Sequence, residues 1–292
     1  MTIAVETLYD QLGRDYQVEH ERNPGRQVAI NQALASLRPG SRVLDVGCGT
    51  GRPVSDCLAL AGHQVFGIDI SQTMIDLARQ QVATGEFIKV DMRDYQPSGT
   101  FDAVFAVFSL FHLSHCDTYS MMFKFCEWLK PGGLLIIGTS PGTGTGSGKT
   151  GRGHLDRICM QQVDIPFMGS SFVGSLYTTE GWRWLFESAG FSIDVGQISP
   201  VNADLNQYFI IGRKSVTHPL MGPYPLPDIY RGPHPLSEGA WKPFVERLTR
   251  HEFDAVLEIV QHNQKVLDVG SGHGGTFVAN THYPEVMRPL MK

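Results

Sequence analysis

From residue 42 onward, short apolar blocks alternate with stretches of helical periodicity. Arg42-Val43-Leu44-Asp45-Val46 and Gln64-Val65-Phe66-Gly67-Ile68-Asp69 are blocks of strand length, as are residues 86–90, 101–108 and 134–138. The intervals between them read as helices. Residues 54–61 form one. Ser71 caps the next, with Met74, Ile75, Ala78 and Val82 on a single face. Tyr119, Met122, Phe123 and Cys126 repeat at i, i+3, i+4, i+7 and give a third, which Pro131-Gly132-Gly133 breaks. Residues 178–189 predict another helix, followed by strands at 191–196 and 208–212. Ahead of the first strand, residues 1–40 read as helical, broken at Asn23-Pro24-Gly25 and ended at Pro39-Gly40. Alternating strands and helices predict an α/β fold, a largely parallel sheet with helices on both faces.

Three regions depart from the alternation. Residues 140–153 are rich in Gly, Ser and Thr and read as a mobile loop, so residues 140–177 form an insertion in a domain spanning 41–214. Residues 215–236 carry Pro219, Pro223, Pro225, Pro227, Pro233 and Pro235 and read as a linker or wrapping segment. Beyond it, Trp241, Phe244, Val245 and Leu248, then Phe253, Val256, Leu257 and Val260, have helical spacing. The expected organisation is a helical cap at 1–40, the sheet domain at 41–214, and a linker with a C-terminal helical extension at 215–292.

Composition narrows the classes. Of 292 residues, 42% are apolar and 18% charged, which supports a sizeable core and excludes a largely disordered chain. No apolar run approaches the ~18 residues of a membrane span, and the N-terminus lacks the basic and apolar pattern of a secretory signal. A net charge of −5 argues against nucleic acid or an anionic membrane as partner. Cys48, Cys57, Cys116, Cys126 and Cys159 make no CxxC pair, so no metal site or disulfide framework is expected, and reduced thiols fit a cytoplasmic protein.

The strongest chemical signal is Gly47-Cys48-Gly49-Thr50-Gly51, where the first strand runs into a glycine turn and a helix begins. Glycines let a backbone approach a ligand closely, and open α/β sheets bind ligands at the carboxyl ends of their strands. Asp69 ends the second strand, where a carboxylate can accept both hydroxyls of a ribose. The ligand could thus be any adenosine-bearing cofactor. The spacing separates the candidates. A dinucleotide loop wants G-x-G-x-x-G, and Arg52 stands where the third glycine belongs. Asp45 ahead of the turn suits a cation better than a diphosphate.

These residues resemble the first motif of the class I S-adenosylmethionine-dependent methyltransferases. Asp69 resembles that family's ribose-binding acid, and Asp91-Met92 its adenine-contacting pair. Residues 101–106 resemble the strand beside the active site, and Leu129-Lys130-Pro131-Gly132-Gly133 the turn before strand five. Five motifs in register over residues 1–214 imply a seven-stranded Rossmann-like methyltransferase sheet with S-adenosyl-L-methionine as cofactor. The resemblance implies cofactor contacts from Asp45, Gly47, Gly49, Gly51 and Asp69. It adds Ile70, Met74, Asp91, Met92 and Phe108, and Tyr16 from the N-terminal helix. Tyr9 shares that helix and could touch the cofactor or the acceptor.

His112 and His115 follow the fourth strand, at the point that faces the transferable methyl in this fold. His112 is the candidate general base or acceptor ligand, and His115 reads better as a helix-start residue. Their spacing with Cys116 does not make a metal set. Residues 142–150 imitate a phosphate-binding loop, but Thr143 occupies the position of its first glycine, so an ATPase is not supported. Residues 167–177 are apolar and aromatic, a wall for the acceptor. With Arg152, His154 and Arg157 nearby, such a wall would suit a small acidic or phenolic molecule.

Lys265-Val266-Leu267-Asp268-Val269-Gly270-Ser271-Gly272-His273-Gly274 echoes residues 42–51. A second cofactor-binding sheet needs over ~100 residues, which leaves three readings of the echo: the leftover start of a duplicated domain, a chance likeness, or, as preferred, a strand that docks on this sheet or on a partner. A homodimer through the extension is one such arrangement. The function expected is O-methylation of a carboxylic acid or hydroxyl on a small molecule. N- or C-methylation is the alternative within the class. A non-catalytic cofactor-binding scaffold and a nicotinamide-dependent oxidoreductase are the alternatives outside it.

Overall fold

The computed structural model describes residues 4–20, 23–142, 154–155, 158–201, 206–215, 217–218 and 222–223, all within the first of two units of the chain, Met1–Leu226. Two helices come first, α1 (Val5–His20) and α2 (Pro24–Ser36). Gly13, at φ 46° and ψ −121°, interrupts α1 and turns its two halves. Asn23 caps α2 by accepting from Arg26 N, with Pro24 at the first helical position, where a missing N–H costs nothing.

The alternating blocks then fold as their periodicities dictate: β1 (Arg42–Val46), α3 (Val54–Leu60), β2 (Gln64–Asp69), α4 (Gln72–Gln81), β3 (Glu86–Lys89), β4 (Phe101–Val107), α5 (His115–Trp128) and β5 (Leu129–Thr139). Ser71 and Ser114 cap α4 and α5 with their hydroxyls. The insertion contributes β6 (His154–Leu155), β7 (Cys159–Phe167) and β8 (Ser170–Tyr177), a separate antiparallel sheet. Thr178 caps α6 (Thr179–Ser188), and β9 (Phe191–Pro200) and β10 (Asn206–Lys214) follow.

The main sheet has seven strands in the order β3-β2-β1-β4-β5-β10-β9. Strands β1 to β5 are mutually parallel, and β10 runs antiparallel between β5 and β9. The order reverses beside β1, which opens a crevice at the carboxyl ends of β1 and β4. The central strands are buried on both faces: Val43, Leu44, Val46, Ala103, Val104, Phe105, Leu135, Ile136 and Ile137 are all inaccessible or nearly so.

Two boundaries differ from the sequence reading. Pro131-Gly132-Gly133 does not precede the fifth strand but lies inside it, because Leu129 already pairs with Phe101 and the extra residues are absorbed as a register shift. The last two strands run further than their apolar cores, to Pro200 and from Asn206, since backbone pairing continues past the buried positions. Of the expected loop at 140–153, residues 143–153 lie outside the described residues, as do the helical extension and the echo at 265–274.

Candidate active site

The glycine turn is shaped by geometry that only glycine meets without strain. Gly47, Gly49 and Gly51 have φ of 69°, 53° and 81°. At Gly47 space is lacking too: a Cβ there would stand 2.3 Å from Ser109 Cβ. The turn is tied to the end of β2 by Gly47 N and Cys48 N, which donate to the Ile68 carbonyl at 2.8 and 3.0 Å.

Asp69 completes this junction. Its Oδ2 accepts from Gly49 N and its Oδ1 from Ser71 N, both at 2.9 Å. One carboxylate therefore braces the turn and the start of α4 and keeps a further lone pair on each oxygen. Burial pushes its pKa up, and the backbone N–H groups oppose that shift.

A cavity opens in front of this junction. Tyr16, Gly47, Gly49, Asp69, Ile70, Asp91, Met92, Phe108 and His112, all singled out in the sequence, line it together. Val5, Tyr9, Ile68, Val90, Arg93, Ser109 and Leu113 complete the wall. Three expected contact residues stand behind it instead. Asp45 is buried under the turn, where Ser55 Oγ donates to its Oδ2 at 2.7 Å, and burial raises its pKa to about 7. Gly51 faces α4, where a Cβ would approach Val82 and Ala78 at 3.1 and 3.4 Å. Met74 is fully buried in the helix face that packs on the sheet. These three shape the turn from the core side.

In the cavity wall, Asp91 accepts from Arg93 Nε and Nη2, and Arg93 Nη1 reaches Asp117 at 3.3 Å on α5. Elsewhere in the wall, Phe108 leaves β4 in the left-handed region, at φ 59°. A non-glycine residue there costs of order 1 kcal/mol or more. The bend is held by Phe108 N donating to the Gly138 carbonyl at 2.7 Å and by the ring stacked on Phe111 and edge-on to Phe209. It carries residues 108–113 over the cavity.

His112 meets the N-terminal helix there. Its Nε2 is 2.9 Å from Tyr9 Oη, and Phe172 of the insertion packs against its ring at 4.0 Å between centroids. Burial lowers the imidazole pKa to about 4, so His112 is neutral at pH 7, and burial pushes the Tyr9 phenol up. His112 Nδ1 and Ser109 Oγ are buried without a hydrogen-bond partner. His115 is engaged elsewhere, with Nδ1 2.8 Å from Tyr177 Oη, which also donates to the His115 carbonyl.

The cap is fastened to the sheet domain. Asp10 on α1 accepts from Ser71 Oγ and Thr73 N, and Lys89 pairs with Glu6. Phe167, at the tip of the β7–β8 hairpin, packs on Tyr9, Tyr16 and His20. The hairpin itself rests on the segment after β4, where Ser175 N donates to the Phe111 carbonyl. The aromatic wall expected at 167–177 thus backs Tyr9 and His112. Arg152, Arg157 and the side chain of His154 lie outside the described residues. Among the described residues no three His, Cys, Asp or Glu side chains cluster as a metal site.

Sequence reasoning missed Ser109, Arg93 and the link between Tyr9 and His112. The first two sit one or two residues from positions it had marked. The third joins residues 103 apart, which no local pattern encodes.

Residues 43–133 match a family of methyltransferase domains. Residues 43–133 thus resemble a methyltransferase domain, and the sheet order and the glycine turn agree with that likeness. Among curated proteins it is similar to phosphoethanolamine N-methyltransferase 3 of Arabidopsis thaliana, at 34% identity over 36% of this chain and 22% of that protein. It is also similar to ubiquinone biosynthesis O-methyltransferase of Dechloromonas aromatica, at 37% identity over 43% of this chain and 54% of that protein. The chain thus spans between about a fifth and just over half of these relatives. Among solved structures it shares the fold of magnesium protoporphyrin IX methyltransferase from Synechocystis PCC 6803, at 20% identity, 72% of this chain, 98% of that one and a TM-score of 0.54. No described helix is long and apolar enough to cross a membrane.

Proposed function

We propose that the protein transfers a methyl group from S-adenosyl-L-methionine to an oxygen of a small-molecule acceptor. The observation that carries this reading is one cavity lined both by a ribose-type carboxylate, Asp69, at the glycine turn and by a neutral imidazole, His112.

The residues present suit the cofactor. Gly47 and Gly49 leave room where any Cβ would intrude or strain the chain, and Asp69 keeps lone pairs for two hydroxyls. Met92, Ile70 and Val90 offer apolar contact for a purine. When bound, the cofactor supplies a methyl group already activated on a sulfonium, so the chain need not provide a nucleophile. What the protein contributes is placement and proton handling. Tyr9 orients the His112 ring and Phe172 packs on its face, so the imidazole is held in the cavity wall.

N- or C-methylation would use the same cofactor half, and a scaffold without catalysis would bind cofactor alone. A homodimer through residues 215–292 and a cytoplasmic location complete the reading and rest on the sequence. The test is release of S-adenosylhomocysteine from the intact chain across phenols, carboxylic acids and amines. Turnover with an oxygen acceptor and no turnover with amines supports the proposal. Turnover with amines alone, or cofactor binding without any turnover, overturns it.

A further inference from the structure

We propose that Asp10 is the latch of a hinged cap: the first half of α1 turns about Gly13 to open and close the cavity, and the bonds of Asp10 to the start of α4 set how fast cofactor exchanges. This rests on the reading of the cavity as the cofactor site and deepens it.

Helix α1 is two pieces joined at one residue. Gly13, at φ 46° and ψ −121°, holds a backbone conformation that L side chains rarely adopt. The second piece is tied down by bonds of its own. Gln81 Nε2 on α4 donates to Gln17 Oε1 at 2.9 Å and to the Thr50 carbonyl at 3.0 Å, and Arg26 Nη2 donates to the His20 carbonyl at 2.6 Å. These bonds do not involve residues 5–12, so the first piece can lift while the second stays seated. Val5 and Tyr9 of the first piece line the cavity together with Asp69. Lifting it removes both from the wall and parts Tyr9 from His112.

The strengths of the ties single out Asp10. Within residues 5–12, Leu8 alone is fully buried, so polar bonds do much of the holding. Glu6 and Lys89 form a half-exposed ion pair, which contributes little. Tyr9 and His112 share one bond between neutral groups. Asp10 Oδ1 instead takes two donors, Ser71 Oγ and Thr73 N. The Ser71 hydroxyl holds the Asp10 carboxyl below the usual carboxylate range, so both bonds are charge-assisted at pH 7. Ser71 is a rigid anchor: it is fully buried, caps α4 through Met74 N, and donates its own N–H to Asp69. The latch thus closes on the residue that braces the carboxylate of the cofactor site.

A latch has a kinetic signature that a merely structural residue lacks. It stabilises the closed form of the empty and of the occupied protein alike. Weakening it raises the open fraction of both by the same factor, so association and dissociation quicken together and their ratio, Kd, stays in place. Loss of a contact to the cofactor, or of local order, raises dissociation and Kd without quickening association.

The test is surface plasmon resonance of S-adenosylhomocysteine over the immobilised full chain, which reads both rates, with circular dichroism reporting the fold. Asp10→Ala should raise both rates about three- to tenfold, as expected for lost bonds to an ionised group, and leave Kd within about twofold. Asp10→Asn keeps an acceptor oxygen without the charge and should fall between the parent and Asp10→Ala; it carries the test if the alanine variant does not fold. Unchanged rates in a folded variant overturn the inference, and so does faster dissociation with unchanged association. Failure of the unmodified chain to bind S-adenosylhomocysteine is a different result, seen before any substitution, and it overturns the assignment of the cavity and the latch with it.

Discussion

Replacing Asp69 by alanine removes two kinds of interaction at once, and their sizes can be separated. Each oxygen of Asp69 already accepts one backbone N–H, from Gly49 and from Ser71, so one lone pair on each remains for a ligand hydroxyl. Hydrogen bonds to an ionised group contribute about 1.5–3 kcal/mol each. Burial already works against the charge on Asp69, so the net loss in cofactor affinity should be about 1–3 kcal/mol in total. At ~1.4 kcal/mol per tenfold, the dissociation constant rises roughly 5- to 150-fold. The second effect falls on stability. Gly49 N and Ser71 N lose their acceptor, and each N–H left unpaired costs about 1–3 kcal/mol unless water reaches it. Calorimetric titration of S-adenosylmethionine should therefore be run well below the lowered Tm, with circular dichroism showing a folded variant. A folded Asp69→Ala protein with an unchanged dissociation constant would refute the assignment of Asp69.

Three further outcomes follow from the geometry. Gly47→Ala forces φ 69° on an L-residue and a Cβ 2.3 Å from Ser109 Cβ, so it should cost about 2–4 kcal/mol in denaturant unfolding and at least tenfold in cofactor affinity; a variant as stable as the parent contradicts the cradle. His112→Ala should lower kcat by on the order of a hundredfold with cofactor affinity intact, and since burial holds the imidazole near 4, the rate of the unmodified enzyme should show no ionisation with a midpoint near 6.5. Asp45 has a pKa raised from 3.8 to about 7, so the native state holds a proton the unfolded chain has released, and its contribution to stability is present below pH 3.8 and lost as pH rises towards 7. Relative to Asp45→Asn, the parent should lose about 1.4 kcal/mol per pH unit between roughly pH 4.5 and 6.5, and parallel stability curves for the two proteins would show that Asp45 is not perturbed.

The parallel core was legible because it is written locally. Buried strands such as β1 and β4 are mostly apolar blocks, broken within by Asp45 and Asp102, and Ser71, Ser114 and Thr178 stand at the helix starts they cap. The part of the cavity proposed for the cofactor was legible for the same reason: the turn at Gly47 and the acid at Asp69 each end a strand. Asp45, Gly51 and Met74 sat in the same motifs, yet face inward. The turn they belong to needs support from behind, and sequence spacing does not say which side of a turn a residue faces. The part proposed for the acceptor was less legible because it is assembled from distant pieces. Tyr9 comes from the cap, His112 from the segment after β4, and Phe167 and Phe172 from a hairpin whose apolar pattern does not reveal which sheet it joins.

The account turns on what the cavity binds. Equilibrium dialysis of the intact chain against labelled S-adenosylmethionine measures this directly. It should give one saturable site per chain, displaced by S-adenosylhomocysteine and untouched by NAD. Absence of saturable binding, or displacement by NAD, would contradict it.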